Sequence, residues 1–451
     1  MKINKAIITI IIFISITQIV VAQRGAIDTT LKYSWTNHFQ MTVISQKHLA
    51  FKSAYTGINS LADTLEPTAT SITTTLFLGR KLWKGAAFYF NPEVSGGKGL
   101  SFATGVAGAL NGETYRVGTV EPQVFIARAY LQQHIPLPNT AYEYADDDVN
   151  MVASKIPSSR ITISAGKFAI SDFYDKNIYS KDPRSQFFNW SLWSNGAWDY
   201  PANTRGYTMG LVIELIKPKW AIRLSSVAVP RIANFHLMEY NISKAHSETV
   251  EFEHKFYLYK HLGNFRFTVS NTYSKAPAYA DGIKAILNQD TTLLTVIQGK
   301  TERSSYGGKK LGLGVNIDQE LTNDMGIFGR LGWNDGKYAT WAFTEIDKTI
   351  NVGLSFKGTK WKRANDVFGI ATVINGISKD HKNFLKAGGY GFIIGDGTLN
   401  YGHETVIETY YNAQLSKFFW ITIDYQFVNN PGYNKDRGPV HVFGLRGHIQ
   451  L

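Results

Sequence analysis

The chain of 451 residues lacks cysteine, has few charged residues and contains no long apolar run beyond its first 22 residues. Without cysteine, neither disulfide bonds nor cysteine-based zinc sites can form. Charged residues make up 18% of the chain and apolar residues 44%, a balance that excludes intrinsic disorder. The formal net charge of +12 is spread along the sequence. Because it is not concentrated in a basic tail, we expect no nucleic-acid partner.

The first 22 residues have the pattern of a secretory signal peptide. Lys2 and Lys5 precede an apolar stretch over residues 6–16, and small residues end the segment at Ala22. The stretch is too short for a membrane-spanning helix, which needs about 20 apolar residues. We therefore predict a signal peptide over residues 1–22 and one mature domain over residues 23–451. Its removal lowers the net charge from +12 to +10.

Alternation of apolar and polar residues dominates the mature chain. Near the C-terminus, Phe443 and Leu445 fall on one face, and Arg446 and His448 fall on the other. A period of two predicts β-strands with one apolar and one polar face. The apolar face of a further segment comprises Tyr207, Met209, Leu211, Ile213 and Leu215. The predicted strands cover residues 38–48, 69–79, 84–93, 121–133, 159–169, 206–216, 219–229, 248–259, 264–274, 308–321, 326–334, 343–356, 367–377, 404–415, 418–428 and 440–451.

Sixteen alternating segments of about ten residues are typical of a transmembrane β-barrel. The predicted fold is therefore all-β: an antiparallel barrel of about 16 strands with short periplasmic turns and long extracellular loops. A soluble β-sandwich or solenoid is the alternative, but an aromatic content of 14%, with rings near the strand ends, favours the membrane barrel. One inner connection, residues 134–158, is too long for a turn and predicts a small periplasmic feature. The predicted location is the outer membrane of a Gram-negative bacterium.

The polar faces of these strands are predicted to line a water-filled lumen. Rings of charged side chains set the field and the selectivity of a pore. Alternatively, the same residues pair with one another and stiffen a hydrated interior. The proposed pore-lining residues are Arg128, Arg160, Arg223, Arg266, Arg330, Arg446, Glu214, Asp318, Glu320 and Asp424.

The longest predicted outer loop, residues 170–205, is the candidate for a constriction that contacts sugars. Aromatic rings can stack on the C–H face of a sugar while charged groups bind its hydroxyls, the usual division of a binding pocket. Alternatively, its tryptophans pack the loop onto the mouth of the barrel. The proposed contact residues are Asp172, Asp182, Arg184, Trp190, Trp193, Trp198 and Asp199.

Several long strings resemble the carbohydrate-selective porin family, the OprB-like outer-membrane porins. They are GKFAISDFYDKNIYSKDPRSQFFNWSLWSNGAWDYPANTRGYTMG, FNPEVSGGKGLSFATGVAGALNGETYRVG, LGLGVNIDQELTNDMGIFGRLGWNDGK and DYQFVNNPGYNKDRGPVHVFGLR. The resemblance covers the chain from about Leu78 to its end. It implies a sixteen-stranded barrel through which sugars diffuse, narrowed by loops and lined by arginines and acids. The terminal Leu451 departs from the aromatic residue with which such proteins commonly end.

Three functions are compared. The favoured one is passive diffusion of carbohydrates, with no enzyme activity, cofactor or metal. The second is a general or anion-preferring porin, suggested by the mature charge of +10. The third is a glycan hydrolase in which Asp182 and Asp199 form an acid and nucleophile pair. The expected partners are sugar solutes, outer-membrane lipid and the barrel-assembly machinery, and the expected state is a monomer or a homotrimer.

Overall fold

A computed structural model of the protein describes residues 34–451, so the predicted signal peptide lies outside the described residues. Sixteen antiparallel strands form a closed barrel, and the first strand pairs with the last, with Met41 opposite Ile449. Closure leaves no unpaired sheet edge. The predicted fold class and strand number are confirmed. None of the helices in the described residues is long and apolar enough to cross a bilayer.

The strands agree with the predicted ones to within a few residues. In chain order they are β1 Trp35–His48, β2 Ala69–Lys81, β3 Ala86–Gly97, β4 Gln123–Pro136, β5 Tyr142–Ala145, β6 Ser154–Pro157, β7 Arg160–Phe168, β8 Thr208–Ile216, β9 Trp220–Val227, β10 Val229–Pro230, β11 Met238–Glu239, β12 His246–Leu258, β13 His261–Ser274, β14 Gly308–Thr322, β15 Met325–Asn334, β16 Lys348–Gly358, β17 Arg363–Gly376, β18 Glu404–Ser416, β19 Phe419–Asn429 and β20 Val440–Gln450. The hairpins β5–β6 and β10–β11 lie outside the barrel sheet.

The two faces of each barrel strand differ in composition, because successive side chains point to opposite sides of the sheet. On β20, Leu445 is 53% exposed on the outer face, whereas the neighbouring Arg446 is fully buried inside. The prediction for Tyr207 is wrong. It precedes β8, points inward, and donates a hydrogen bond to Glu93 at 3.0 Å, because the alternation of β8 begins only at Thr208.

The two ends of the barrel differ in their connections. At one end, called here the short-turn end, strands are joined by turns such as the one between β8 and β9, where Lys217 N donates to Trp220 O. The exception is the segment between β4 and β7, which forms the predicted small feature, the hairpin β5–β6. Within residues 34–451, the connections that leave the opposite, long-loop end contain five α-helices: α1 Gly112–Val117, α2 Trp190–Trp193, α3 Tyr279–Leu287, α4 Thr291–Ile297 and α5 Lys379–Lys386.

The connection between β7 and β8, residues 169–207 and called here the inner loop, folds into the barrel. Its Phe187 packs edge-on against Tyr410 of β18 at 4.8 Å and tilted against Phe328 of β15 at 5.6 Å. Glycines on the wall make room for it: a Cβ at Gly332 would lie 1.9 Å from Asn195 Oδ1. The apolar core therefore lies inside the barrel: one cluster packs the inner loop against strands β15–β20, and another packs it against strands β3, β4 and β7–β9.

Candidate functional site

Two arginines of the barrel wall bind the inner loop. Arg330 of β15 pairs with Asp175 at 2.9 Å and donates to Leu192 O at 3.0 Å. Arg446 of β20 donates to Pro183 O at 2.8 Å and to Gln186 O at 2.7 Å. Both guanidinium groups are buried, 1% and 0% exposed. The predicted position of Arg330 and Arg446 on an open lumen is therefore corrected, because the inner loop covers them.

Carboxylates of the wall accept hydrogen bonds from backbone amides of two loops, the inner loop and the connection between β3 and β4. Glu408 of β18 accepts from the backbone amides of Phe188 and Asn189. Glu404, on the same strand, accepts from Ala107 and Gly108 at 2.8 and 2.7 Å. Each bond satisfies a loop amide that has no partner in a sheet, which explains how irregular backbone can be buried here.

Three of the predicted acids do not line an open lumen, and two of them, Asp318 and Asp424, are buried. Asp424 of β19 is 1% exposed and accepts from Gln426 at 3.2 Å, so its predicted lumen position is corrected for the same reason. Asp318 of β14 is buried against Arg266 at 2.6 Å. Glu320 lies 3.4 Å from His261 near the short-turn end and does not line the cavity described next.

A cavity of about 910 Å³ occupies the other half of the barrel. It lies between the inner loop and the wall formed by β1–β4, β7–β9, β12 and β13, and it reaches the short-turn end. The predicted site residues that line it are Arg128, Arg160, Glu214, Arg223 and Arg266 from the wall and Asp172, Asp182, Arg184 and Trp193 from the inner loop. Those that do not are Asp318, Glu320, Arg330, Asp424, Arg446, Trp190, Trp198 and Asp199.

Ion pairs fix most guanidinium groups of this cavity. Arg223 contacts three carboxylates, Glu214 at 2.9 Å, Glu251 at 3.0 Å and Glu253 at 2.7 Å. Arg266 contacts Glu253 at 3.4 Å as well as the buried Asp318. The wall therefore presents a fixed array of paired charges, and a polar solute meets donors and acceptors at set positions.

The inner loop is tied to this wall by further pairs. Arg128 of β4 binds Asp172 through two parallel bonds of 2.7 Å. Burial raises the pKa of Asp172, but the charge of Arg128 more than offsets it, so the pKa is lowered and the carboxyl group is ionised at neutral pH. Burial lowers the pKa of Lys181 to about 8, and this lysine donates to Tyr174 O at 2.9 Å.

Arg184 extends from the inner loop across the cavity to the opposite wall. It contacts Glu113 at 3.1 Å, Glu93 at 3.2 Å and Thr75 at 3.1 Å. A planar guanidinium group with several fixed partners holds its position well. Arg184 therefore forms a bar across the cavity between its loop and strands β2 and β3.

Helix α1 separates this cavity from a smaller one of about 260 Å³ at the long-loop end. Glu113 and Arg116 line the large cavity, whereas Thr114 lines the small one together with Lys98 and Phe392. Asn111 begins α1 by accepting from the amide of Glu113 at 2.9 Å. The Arg116 guanidinium lies 5.5 Å from the centre of the Tyr207 ring.

Sequence reasoning missed α1 as an element that lines both cavities. The Asn-Gly-Glu-Thr string at 111–114 contains the capping signal, since asparagine is a preferred helix N-cap. It also missed the lysines of the large cavity. Lys176 and Lys181 lie in the inner loop, Lys81 at the end of β2 and Lys217 in a turn, where alternation gives no direction, and Lys255 lies within β12. Eleven lysines and arginines line this cavity, against five aspartates and glutamates.

The tryptophans of the inner loop mainly pack it. Trp190 stacks on Tyr200 at 5.3 Å and on Phe343 at 5.2 Å, with nearly parallel rings. Trp198 packs edge-on against Tyr174 at 6.0 Å. The packing interpretation therefore applies to these two, and Trp193 is the tryptophan of the inner loop that lines the cavity.

The acids proposed for hydrolysis do not share a cavity. Asp182 lines the large cavity and accepts from Ser185 Oγ at 2.8 Å. Asp199 lies outside it, accepting from the amides of Trp341, Ala342 and Phe343 and from Lys310. Since an acid and a nucleophile must flank one bond, the hydrolase hypothesis is not supported. Within residues 34–451, no group of three or more His, Asp or Glu side chains is placed to hold a metal ion.

Comparison with a solved structure agrees with this architecture. The chain matches a structure of OprB from Pseudomonas putida with a TM-score of 0.68 and 15% identity, over 93% of this chain and 95% of that one. The outer-membrane channel DcaP of Acinetobacter baumannii matches with a TM-score of 0.49 and 10% identity, over 92% and 97% of the two chains. Comparison with curated protein sequences gives no match. The profile of the OprB family of carbohydrate-selective porins matches residues 63–451, and the chain belongs to this family.

Proposed function

We propose that this porin lets monosaccharides and short oligosaccharides diffuse passively across the outer membrane through the two cavities on either side of α1. The short-turn end faces the periplasm, and the long-loop end faces the cell exterior, as in barrels with short periplasmic turns. The observation that carries the proposal is a cavity of about 910 Å³, lined by many charged side chains, that is enclosed by a closed barrel and narrowed by an anchored loop. Pockets of about 300–1,000 Å³ are typical for small ligands.

We place the narrowest part of the path at α1. Its Arg116 lines the large cavity, and the side chain is only 15% exposed. Arg128, Asp172, Asp182 and Arg184 follow it along the large cavity and offer hydrogen bonds to sugar hydroxyls. Trp193 supplies an apolar surface there. These residues select by fit and hydrogen bonding, without a covalent step.

Sugar block of the ion current in planar bilayers tests the proposal. Purified protein should conduct ions, and added maltose should reduce the current. Replacing Arg116 by serine should raise the conductance. It should also raise the half-blocking sugar concentration about fivefold, the value of one lost hydrogen bond of about 1 kcal/mol. Arg303→Ser is the control, because Arg303 lines neither cavity. Protein that inserts but does not conduct would refute the proposal.

The excess of cations supports anion preference among small ions as a second property of the same pore. Charged linings set ion selectivity, and eleven cationic side chains face five acidic ones here. A reversal potential measured in a potassium chloride gradient should indicate chloride preference. A general porin would show this preference without block by any sugar.

The oligomeric state and the route of insertion stay predictions. Apolar side chains on the outer face suit contact with outer-membrane lipid, as for Ile423, which is 66% exposed. We expect the barrel-assembly machinery to insert the chain, and chemical crosslinking in membranes distinguishes a monomer from a homotrimer.

A further inference from the structure

Four lysines that line the large cavity have ammonium groups without an ion pair or a hydrogen bond to any residue in 34–451. Their lack of partners contrasts with the arginines beside them, each of which is fixed by one or more carboxylates or carbonyl groups. We call these four the lysine ring: Lys81, Lys176, Lys217 and Lys255.

The lysine ring surrounds the cavity near the short-turn end. Lys81 is the last residue of β2, and Lys217 lies in the turn between β8 and β9. Lys255 is level with that turn, because its amide donates to Lys219 O at 2.8 Å. Lys176 comes from the inner loop, and enclosure by the surrounding protein lowers its pKa. Strand β2, the turn between β8 and β9, strand β12 and the inner loop thus each place one lysine at the same cavity.

The carboxylates near the ring are already engaged. Glu214 and Glu253 are bound by Arg223, and Glu253 also contacts Arg266. With the buried, inward-facing acids Glu93, Glu251 and Asp318 added to the five that line the cavity, eight carboxylates face eleven cations. The lysines of the ring therefore have no ion-pair partner among the described residues, and the cavity lining keeps an excess of positive charge.

Such a ring fits an anionic group carried on a sugar. A lysine ammonium is a mobile, hydrated point charge that can follow a carboxylate or a phosphate as it passes. Asn150, Asn264 and Gln132 line the same cavity and can bind hydroxyl groups, and Trp220 adds an apolar ring. Charge, hydroxyl-binding groups and an apolar surface together match an acidic monosaccharide better than a bare ion.

We propose that the lysine ring is a binding site for the acidic group of carboxylated or phosphorylated monosaccharides, and that the pore carries these sugars in preference to neutral ones. This inference rests on the proposed sugar permeability. It specifies the substrate class and places the selection at the inner end of the pore, away from the narrow part at α1.

Tracer exchange in proteoliposomes tests the proposal. Vesicles contain labelled glucose, glucuronate or glucose 6-phosphate, with the same unlabelled sugar outside, so that exchange moves no net charge. We expect faster exchange of both acidic sugars than of glucose in dilute salt. At 1 M salt the preference should disappear, because the screening length falls to about 3 Å. Glucuronate and glucose 6-phosphate distinguish a carboxylate site from a phosphate site.

The variant Lys176→Gln/Lys255→Gln removes two charges from the ring. The ratio of glucuronate to glucose exchange should fall about two- to fivefold for each lysine removed, as expected for unit charges several ångströms apart in water. Glucose exchange should stay unchanged. The matched control is Lys379→Gln/Lys386→Gln, which removes two exposed lysines of α5 outside both cavities.

The possible outcomes separate this inference from the proposed function. If glucose exchanges and the ratio is the same in wild type and in the Lys176→Gln/Lys255→Gln variant, the lysine ring is refuted while sugar permeability stands. If the α5 control lowers the ratio equally, overall charge and not the ring is responsible, which also refutes it. If no sugar exchanges through inserted protein, the proposed function itself fails.

Discussion

Replacing Arg330 by methionine should loosen the inner loop from the barrel wall. The substitution keeps most of the side-chain volume but removes the charge that faces Asp175, which is only 4% exposed. It also leaves Leu192 O and Ser180 O without the donors that now lie at 3.0 and 2.6 Å. Asp175 keeps only its bonds from Asn316 and from the backbone amide of Asn195.

The expected loss of stability is large for a single substitution. Removing one member of a buried ion pair costs about 3–5 kcal/mol, because the remaining charge stays buried without compensation. Much of this energy stabilises the docked loop and not the barrel sheet, whose backbone pairing the substitution does not touch. We therefore expect a lower temperature for the loss of the loop structure, together with larger and noisier single-channel currents.

Adding Asp175→Asn supplies the decisive comparison. The double variant has no orphaned charge, so it should lose less stability than Arg330→Met alone, and the two effects should be strongly non-additive. Thermal unfolding in detergent measures stability, and planar bilayers measure the current. The reasoning is refuted if Arg330→Met unfolds at the wild-type temperature with wild-type currents, or if the double variant is less stable than the sum of the single effects.

Two further predictions concern other contacts of the loops. Gly332→Ala places a methyl group where Asn195 now lies, so it should displace the inner loop and raise conductance. Gly329→Ala, at a position three residues earlier on β15, should leave the loop and the conductance unchanged, because its added Cβ would lie 3.3 Å from the nearest atom, Asn351 O. Burial raises the pKa of Glu345 to about 6, from an ordinary 4.5. Protonation of Glu345 therefore stabilises the folded state fully below about pH 4.5. This contribution, about 2 kcal/mol of the free energy of unfolding, is lost as the pH rises through 6. Thermal unfolding between pH 4.5 and 7.5 should show this loss, and Glu345→Gln should abolish it; an unchanged profile in the variant contradicts the assignment.

The barrel could be predicted from the sequence because each of its strands has two environments and a period of two separates them. Leu445 and Arg446 are neighbours in sequence, and one is exposed on the outer face while the other is fully buried inside. Counting the alternating segments gives the number of barrel strands, and each barrel strand pairs with the next barrel strand along the chain, with the hairpins β5–β6 and β10–β11 left outside.

The interior could not be predicted in the same way. Alternation shows that Arg330, Arg446 and Asp424 point inward, but not whether water or protein covers them. The protein that covers Arg446 belongs to a loop distant in sequence, since Arg446 and its partner Pro183 are 263 residues apart. Alternation also ends at the strand boundaries, so it gives the wrong face for Tyr207, which precedes β8. It gives no direction for Lys176 in the inner loop or for Lys217 in a turn, so the lysine ring could not be assembled from it.

The anchoring of the inner loop has a consequence for the order in which the molecule assembles. The loop emerges early in the chain, but its partners Arg330, Glu408 and Arg446 belong to strands β15, β18 and β20, the last of which must also pair with β1. Contacts of such long sequence separation form slowly, since loop closure precedes any gain from them. We therefore expect a nascent cylinder that is wide and leaky at first and acquires its sieving width only in the final step of maturation.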